Sequence, residues 1–230
     1  AIEFINSKLK ELKDFNLYAK DQKVSSLDLH YYNKQIENNL TPYILEERQL
    51  NVTAMDVFSR LMMERIIWVA GPVNDQMSTI VQAQLMFLDS IDNNDITMHI
   101  DSPGGSVKSG LSMVDIMDYI NSDIRTVNTG MAASMGSILL GAGTKGKRSS
   151  LRFSRTMLHQ SSGGAVGNIQ DAEITMREWT KLNDTLFNLL GEFCDKNPKK
   201  VLKDSTRDLW LNSNEALEYG IIDELVIKKS

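Results

Sequence analysis

The stretch GMAASMGS, residues 130–137, decides how this chain is read. It lies between a β-prone run, residues 124–129, and an apolar run of helix formers, residues 138–142. A serine at a tight strand-to-helix junction, among small residues, is pushed out from the backbone. Gly130 and Gly136 permit the close turn, while Ala132 and Ala133 keep the approach uncrowded. Met135 falls at the start of the following helix, where an unpaired N–H can face an oxyanion. The stretch is not the G-x-S-x-G of the α/β-hydrolases. Read alone, Ser134 is more often a helix N-cap than a nucleophile.

Working outward, the neighbours have regular order. VFSRLMMER, residues 57–65, alternates apolar and basic residues and runs into IIWVAG, residues 66–71, a buried strand closed by Gly71 and Pro72. Residues 75–92 predict a helix with Ile80, Val81, Leu85, Leu88 and Ile91 on one side. ITMHID, residues 96–101, is the next strand, and SPGGS, residues 102–106, follows it directly. A helix is predicted over residues 107–120. Strand and helix alternating in short steps argue for parallel strands with right-handed crossovers. Past the serine junction, LRFSRTMLHQ, residues 151–160, contains one more strand.

Residues 168–196 carry the longest helical pattern, with Ile169, Ala172, Met176, Trp179, Leu182, Leu186, Leu190 and Phe193 in one stripe ending before Pro198. A helix this long either projects and packs on another chain or serves as a core helix, and the pattern weighs the two evenly. Residues 208–227 close the chain with a short strand, a helix ending at Gly220 and a final strand.

Composition bounds the function. A chain of 230 residues, 42% hydrophobic and 24% charged, has the length and balance of one globular domain with a sizeable core. A net charge of -5 offers no basic footprint for nucleic acid. No apolar run reaches bilayer length and no signal peptide is visible, so no membrane role is expected. The lone Cys194 cannot form an intrachain disulfide, which fits a reducing, cytoplasmic setting. Residues 1–50 differ from the rest. Phe4, Ile5, Leu9, Leu12 and Phe15 fall near helical spacing, a polar stretch follows, and there is no glycine before Gly71. They read as an arm packed on the body or on a neighbour, or as a regulatory leader, with residues 51–230 as a single catalytic domain.

The three histidines differ in promise. His30 reads as solvent-exposed and His99 as packed on its strand. His159 stands at a strand end beside a loop, where reactive side chains tend to project. Asp208 begins a strand after a polar loop and alone reads as a turn carboxylate. Gly104 and Gly105 can present backbone N–H groups without side-chain crowding. Together these pieces suffice for acyl transfer. Ser134 would attack, His159 would take its proton, Asp208 would hold the imidazole, and the N–H groups of Gly105 and Met135 would hold the oxyanion.

With those residues in hand, residues from about 56 onward resemble the proteolytic subunits of the Clp protease family. The matching stretches are FSRLMMERIIWVAGPVND (58–75), MHIDSPGGSV (98–107), GMAASMGSILLGAGTKGKR (130–148), MLHQ (157–160) with GG at 163–164, and TRDLWLNSNEALEYGIID (206–223). The resemblance implies an α/β, crotonase-like fold of repeated ββα units with a projecting handle helix, about residues 163–196. It implies Ser134, His159 and Asp208 as catalytic triad and Gly105 and Met135 as oxyanion donors. It further implies two stacked heptameric rings, a 14-mer, fed with unfolded polypeptide by a hexameric Clp ATPase. The peptidase would need no metal or organic cofactor, since ATP is used by the partner.

Some positions depart from the family pattern. Asp101 stands where Asn is common, Ser161 where Pro is usual, and LRF (151–153) replaces an LPN-type turn. Thr206 occupies a place that is often acidic, beside Arg207, which implies altered ring-to-ring coupling. Two other functions compete with a serine endopeptidase. A non-catalytic ring subunit is opposed by the intact triad. A crotonase-fold acyl-CoA enzyme would want a carboxylate pair that cannot be identified.

Overall fold

The computed structural model describes residues 43–48, 51–162 and 168–226. The readings made for residues 1–42, His30 among them, lie outside these. The chain divides into two compact units, one ending at Val57 and one running from Phe58. Within the first, β1 (Tyr43–Arg48) and β2 (Asn51–Asp56) form an antiparallel hairpin, in register from Tyr43 opposite Asp56 to Arg48 opposite Asn51. The alternating residues 57–65 contain a helix, α1 (Val57–Met63), and an Arg60–Glu64 ion pair of 2.8 Å spans one turn at its end.

The second unit carries one seven-stranded sheet. β3 (Ile66–Ala70), β4 (Ile96–Ser102) and β5 (Ile124–Ala133) lie parallel and adjacent. α2 (Asp75–Ile91) and α3 (Val107–Tyr119) connect them. The strand sequences alternate because one face is buried. Ile96, Met98, Ile100 and Ser102 point inward on β4, while Thr97, His99 and Asp101 point outward. The inward set meets Leu85 and Leu88 of α2 and Met113 of α3 in one apolar core. On the outward face His99 stacks on Trp68, ring centroids 4.8 Å apart, and its Nδ1 makes no hydrogen bond among the described residues.

β5 is ten residues long because it serves two partners in turn. Its first half pairs in parallel with β6 (Arg148–Leu151), and its last three residues pair in parallel with β7 (Arg155–Leu158). The strand expected within residues 151–160 is β7, and a further strand, β6, precedes it across a short turn. The signal was hidden because β6, RSSL, is polar in sequence yet its first three residues are buried. α4 (Met135–Gly141) follows β5 immediately. Beyond it come α5 (Ile169–Phe193), α6 (Pro198–Asp204), β8 (Leu209–Asn212), α7 (Ser213–Tyr219) and β9 (Glu224–Val226). β8 pairs antiparallel with β7, and β9 pairs parallel with β6. α6 was not anticipated. Pro198, read as a stop for α5, also starts the next helix at its first turn, capped by the Asn197 side chain.

α5 is a core helix along part of its length. Its C-terminal half is core, with Leu186, Phe187 and Leu190 buried. Its N-terminal half leaves Ile169 79% and Ile174 57% exposed.

One buried cation binds the helix ends together. Arg148, 1% exposed, forms a two-pronged pair with Asp223, Nη2 to Oδ1 at 2.6 Å and Nε to Oδ2 at 2.8 Å. Its guanidinium also donates to the carbonyls of Phe193, Gly220 and Gly141, at or beyond the C-termini of α5, α7 and α4. Each helix presents its negative end to the charge. Burial pushes the Asp223 pKa up, but the hydrogen bonds from Arg148 and the backbone outweigh it, and the net shift is downward. A carboxyl depressed on folding stabilises the native state above its ordinary pKa and loses that contribution on acidification, here below about pH 4. Asp223→Asn, which strands the buried guanidinium, is expected to cost about 3–5 kcal/mol, read as a lowered urea midpoint at pH 7.

Candidate active site

The register of three neighbouring strands assembles the site. Ala133 on β5 lies beside Met157 on β7, and Leu158 on β7 lies opposite Leu209 on β8. One step further along each strand stand Ser134, His159 and Asp208. The three residues thus stand just past the ends of three neighbouring strands, Ser134 level with Leu158 and Asp208 level with His159, although 74 positions separate the first from the last.

Ser134 has φ +53° and ψ −121°, a conformation that side-chain-bearing residues rarely adopt. Its backbone is held on both sides. Its N–H donates to the Met157 carbonyl at 2.9 Å, and its carbonyl accepts from the Ser137 hydroxyl at 2.6 Å and from the Ser137 N–H at 2.9 Å. It stands at the N-cap position of α4, but its hydroxyl makes no capping bond. The hydroxyl instead lies 2.8 Å from His159 Nε2. The N-cap reading therefore fails for the side chain and holds only for the position.

On its other side His159 Nδ1 is 3.4 Å from Asp208 Oδ1, longer than a well-formed N–H···O bond. With the imidazole proton on Nδ1, facing this carboxylate, Nε2 is free to accept the Ser134 hydroxyl proton. Asp208 is 59% exposed and His159 26% exposed, so the carboxylate end of the row is the wetter one.

SPGG packs directly against the serine. A Cβ placed on Gly104 would fall 2.6 Å from Ser134 Cβ and 2.8 Å from the Met135 nitrogen. Gly104 has φ +88° and Gly105 φ +150°. A Cβ on Gly105 would lie 2.3 Å from the Val73 carbonyl oxygen, whose strand-like bridge to Gly105 holds the loop. Among the described residues neither the Gly105 nor the Met135 N–H donates a hydrogen bond, which leaves both for an incoming oxygen. Met135 is locked in place, its side chain filling the space left by Gly110 of α3.

A small cleft opens beside Ser134 and His159. Its walls are Val107, Ile138, Leu186, Phe187 and Leu190, with Ser161 at the rim. Sequence reading missed Phe187 and Ile138 as site residues. Only the α5 stripe hinted at this wall, because the same spacing serves a core. Among the described residues no group of His, Cys, Asp and Glu could hold a metal ion, and no helix is long and apolar enough to cross a membrane. Cys194 is buried, and burial pushes its thiol pKa up to about 11, so it takes no part in nucleophilic chemistry.

The family model described as Clp protease matches residues 48–229. The chain belongs to the Clp protease family. The chain is 50% identical over 220 residues to the ATP-dependent Clp protease proteolytic subunit of Bacteroides fragilis strain YCH46, covering 95% of this chain and 100% of the relative. It has the same identity and coverage against that of Bacteroides thetaiotaomicron, and 45% over 219 residues, 94% of this chain and 99% of the relative, against that of Porphyromonas gingivalis. The mixed α/β architecture is that of a Clp protease, and the enzyme class is peptidase. The family match begins near β1, whereas alignments covering 95% of this chain take in much of residues 1–50.

Proposed function

We propose that this chain is a serine endopeptidase acting within a self-compartmentalised protease, on the strength of the 2.8 Å approach of Ser134 Oγ to His159 Nε2. Ser134 Oγ attacks the scissile carbonyl as its proton passes to Nε2. The oxyanion is held by the Gly105 and Met135 N–H groups. The imidazolium, supported by Asp208, gives the proton to the leaving amine. Water then repeats the sequence on the acyl-enzyme. The cleft's apolar walls meet the side chain on the acyl side of the bond, favouring apolar residues there. Substrates are unfolded polypeptides that lie as added strands along the SPGG edge.

The exposed apolar N-terminal half of α5 supports its insertion between two stacked heptameric rings, a 14-mer. The name shared by the relatives supports a hexameric Clp ATPase as the feeding partner, with ATP hydrolysed there and no cofactor in this subunit. The cytoplasm is the compartment consistent with a single, buried thiol. At Thr206 the hydroxyl donates to the Lys203 carbonyl at 2.9 Å and is spent on its own helix, which supports altered coupling between rings at this point.

A fluorophosphonate probe tests the reading against a non-catalytic ring subunit. Labelling of one residue per subunit, mapped to Ser134, is expected, together with hydrolysis of a fluorogenic peptide. An assembled protein that neither labels nor cleaves would overturn it.

A further inference from the structure

Two residues after His159 the chain is fastened to α5. The Ser161 hydroxyl donates to Asn183 Oδ1 at 3.0 Å, and the Ser161 N–H donates to the same atom at 3.3 Å. One acceptor therefore takes both hydrogen bonds. Asn183 is not a random point on the helix. Positions 183, 186, 187 and 190 follow helical spacing, and the last three are the apolar wall of the cavity beside Ser134. Ser161 also lines that cavity. The tether thus closes a ring made of the His159 strand end, residue 161, Asn183 and the Leu186–Phe187 wall.

We infer that Asn183 is a positioning residue that sets the width of the specificity cavity by anchoring residue 161 to α5. The inference rests on the serine-peptidase reading above, with that cavity as the site for the acyl-side side chain. Asn183 touches neither the reacting atoms nor His159, so its effect passes through the wall. Exposed single hydrogen bonds carry little, but two bonds to one oxygen on a half-buried side chain fix the separation of two cavity walls. Their loss leaves the pocket free to widen or collapse. Discrimination by such a pocket rests on how closely its walls meet the side chain.

The experiment measures kcat/KM for two fluorogenic peptides differing only in leucine or alanine on the acyl side of the cut, beside the labelling rate with a small fluorophosphonate lacking that side chain. Asn183→Leu keeps the size and removes the acceptor. Asn183→Asp keeps an acceptor for both donors. Ser161→Pro removes both donors from the other end. Asn183→Leu and Ser161→Pro are expected to lower the leucine-to-alanine ratio by about tenfold. Asn183→Leu should keep the labelling rate within about twofold, and Asn183→Asp should restore the ratio. An unchanged ratio in both, equal loss on both peptides, or an Asn183→Asp variant no better than Asn183→Leu overturns the inference. Failure of the parent reading looks different, since the wild-type protein would then not label at Ser134. If Asn183→Leu does not assemble, Ser161→Pro decides.

Discussion

Ser134→Ala is expected to lower kcat/KM for peptide hydrolysis by about 10⁴- to 10⁶-fold while native mass stays that of the wild type. The magnitude follows from how the row is built. Without the hydroxyl, His159 Nε2 has no proton to accept, and Asp208 has no imidazolium to support. The three residues act as a unit, so adding His159→Ala to Ser134→Ala should cost little more. Structure should be spared. The hydroxyl caps nothing, and the bonds that hold this residue at φ +53° run through its backbone N–H and carbonyl. Steady-state hydrolysis with native mass spectrometry checks the expectation. Turnover within about tenfold of wild type would place the nucleophile elsewhere.

Gly104→Ala is expected to reduce kcat by about 10²- to 10³-fold, the scale of losing an oxyanion donor. Its new methyl would meet Ser134 Cβ at 2.6 Å and the Ala133 carbonyl at 2.7 Å, both part of the rigid strand-to-helix junction. Either the SPGG loop withdraws and carries the Gly105 N–H away, or Ser134 turns off the His159 line. Backbone strain at φ +88° is a separate effect. Gly146→Ala measures it alone, because Gly146 has φ +85° and nothing lies within 4 Å of its Cβ position. That control should lose stability of about 1–2 kcal/mol without loss of kcat. Matching kcat values for the two variants would show strain, not collision, to be the cause.

Much of this site could be read before any coordinates. Ser134 stood out because small residues cluster where backbones must approach closely, and the clearances around Gly104 and Gly136 bear that out. Gly130 accommodates Asp101, whose carboxylate accepts from the Met131 N–H at 3.0 Å and links the SPGG strand to the serine strand. That link was invisible in sequence, where Asp101 was only a departure from a pattern. The β6–β7 division was equally hidden, since polar RSSL is buried by long-range pairing with β5 and β9. Arg148 gave no sign in sequence of being a fully buried cation, because its carboxylate partner lies 75 positions away and two of its carbonyl partners 45 and 72.

From sequence alone came the alternation of strands and helices, the five residues of the candidate site and the resemblance to the family. Each is a local signal: hydrophobic period, small residues at turns, and motif blocks in order. Tertiary structure decided the rest. It brought Ser134, His159 and Asp208 together at the ends of neighbouring strands, turned a would-be N-cap hydroxyl toward an imidazole, and gave α5 a core half and an exposed half. Those outcomes depend on which distant segments pair. Residues tens of positions apart contribute to one hydrogen-bond ladder or one cavity, and the chemistry of each residue by itself carries no record of its partner.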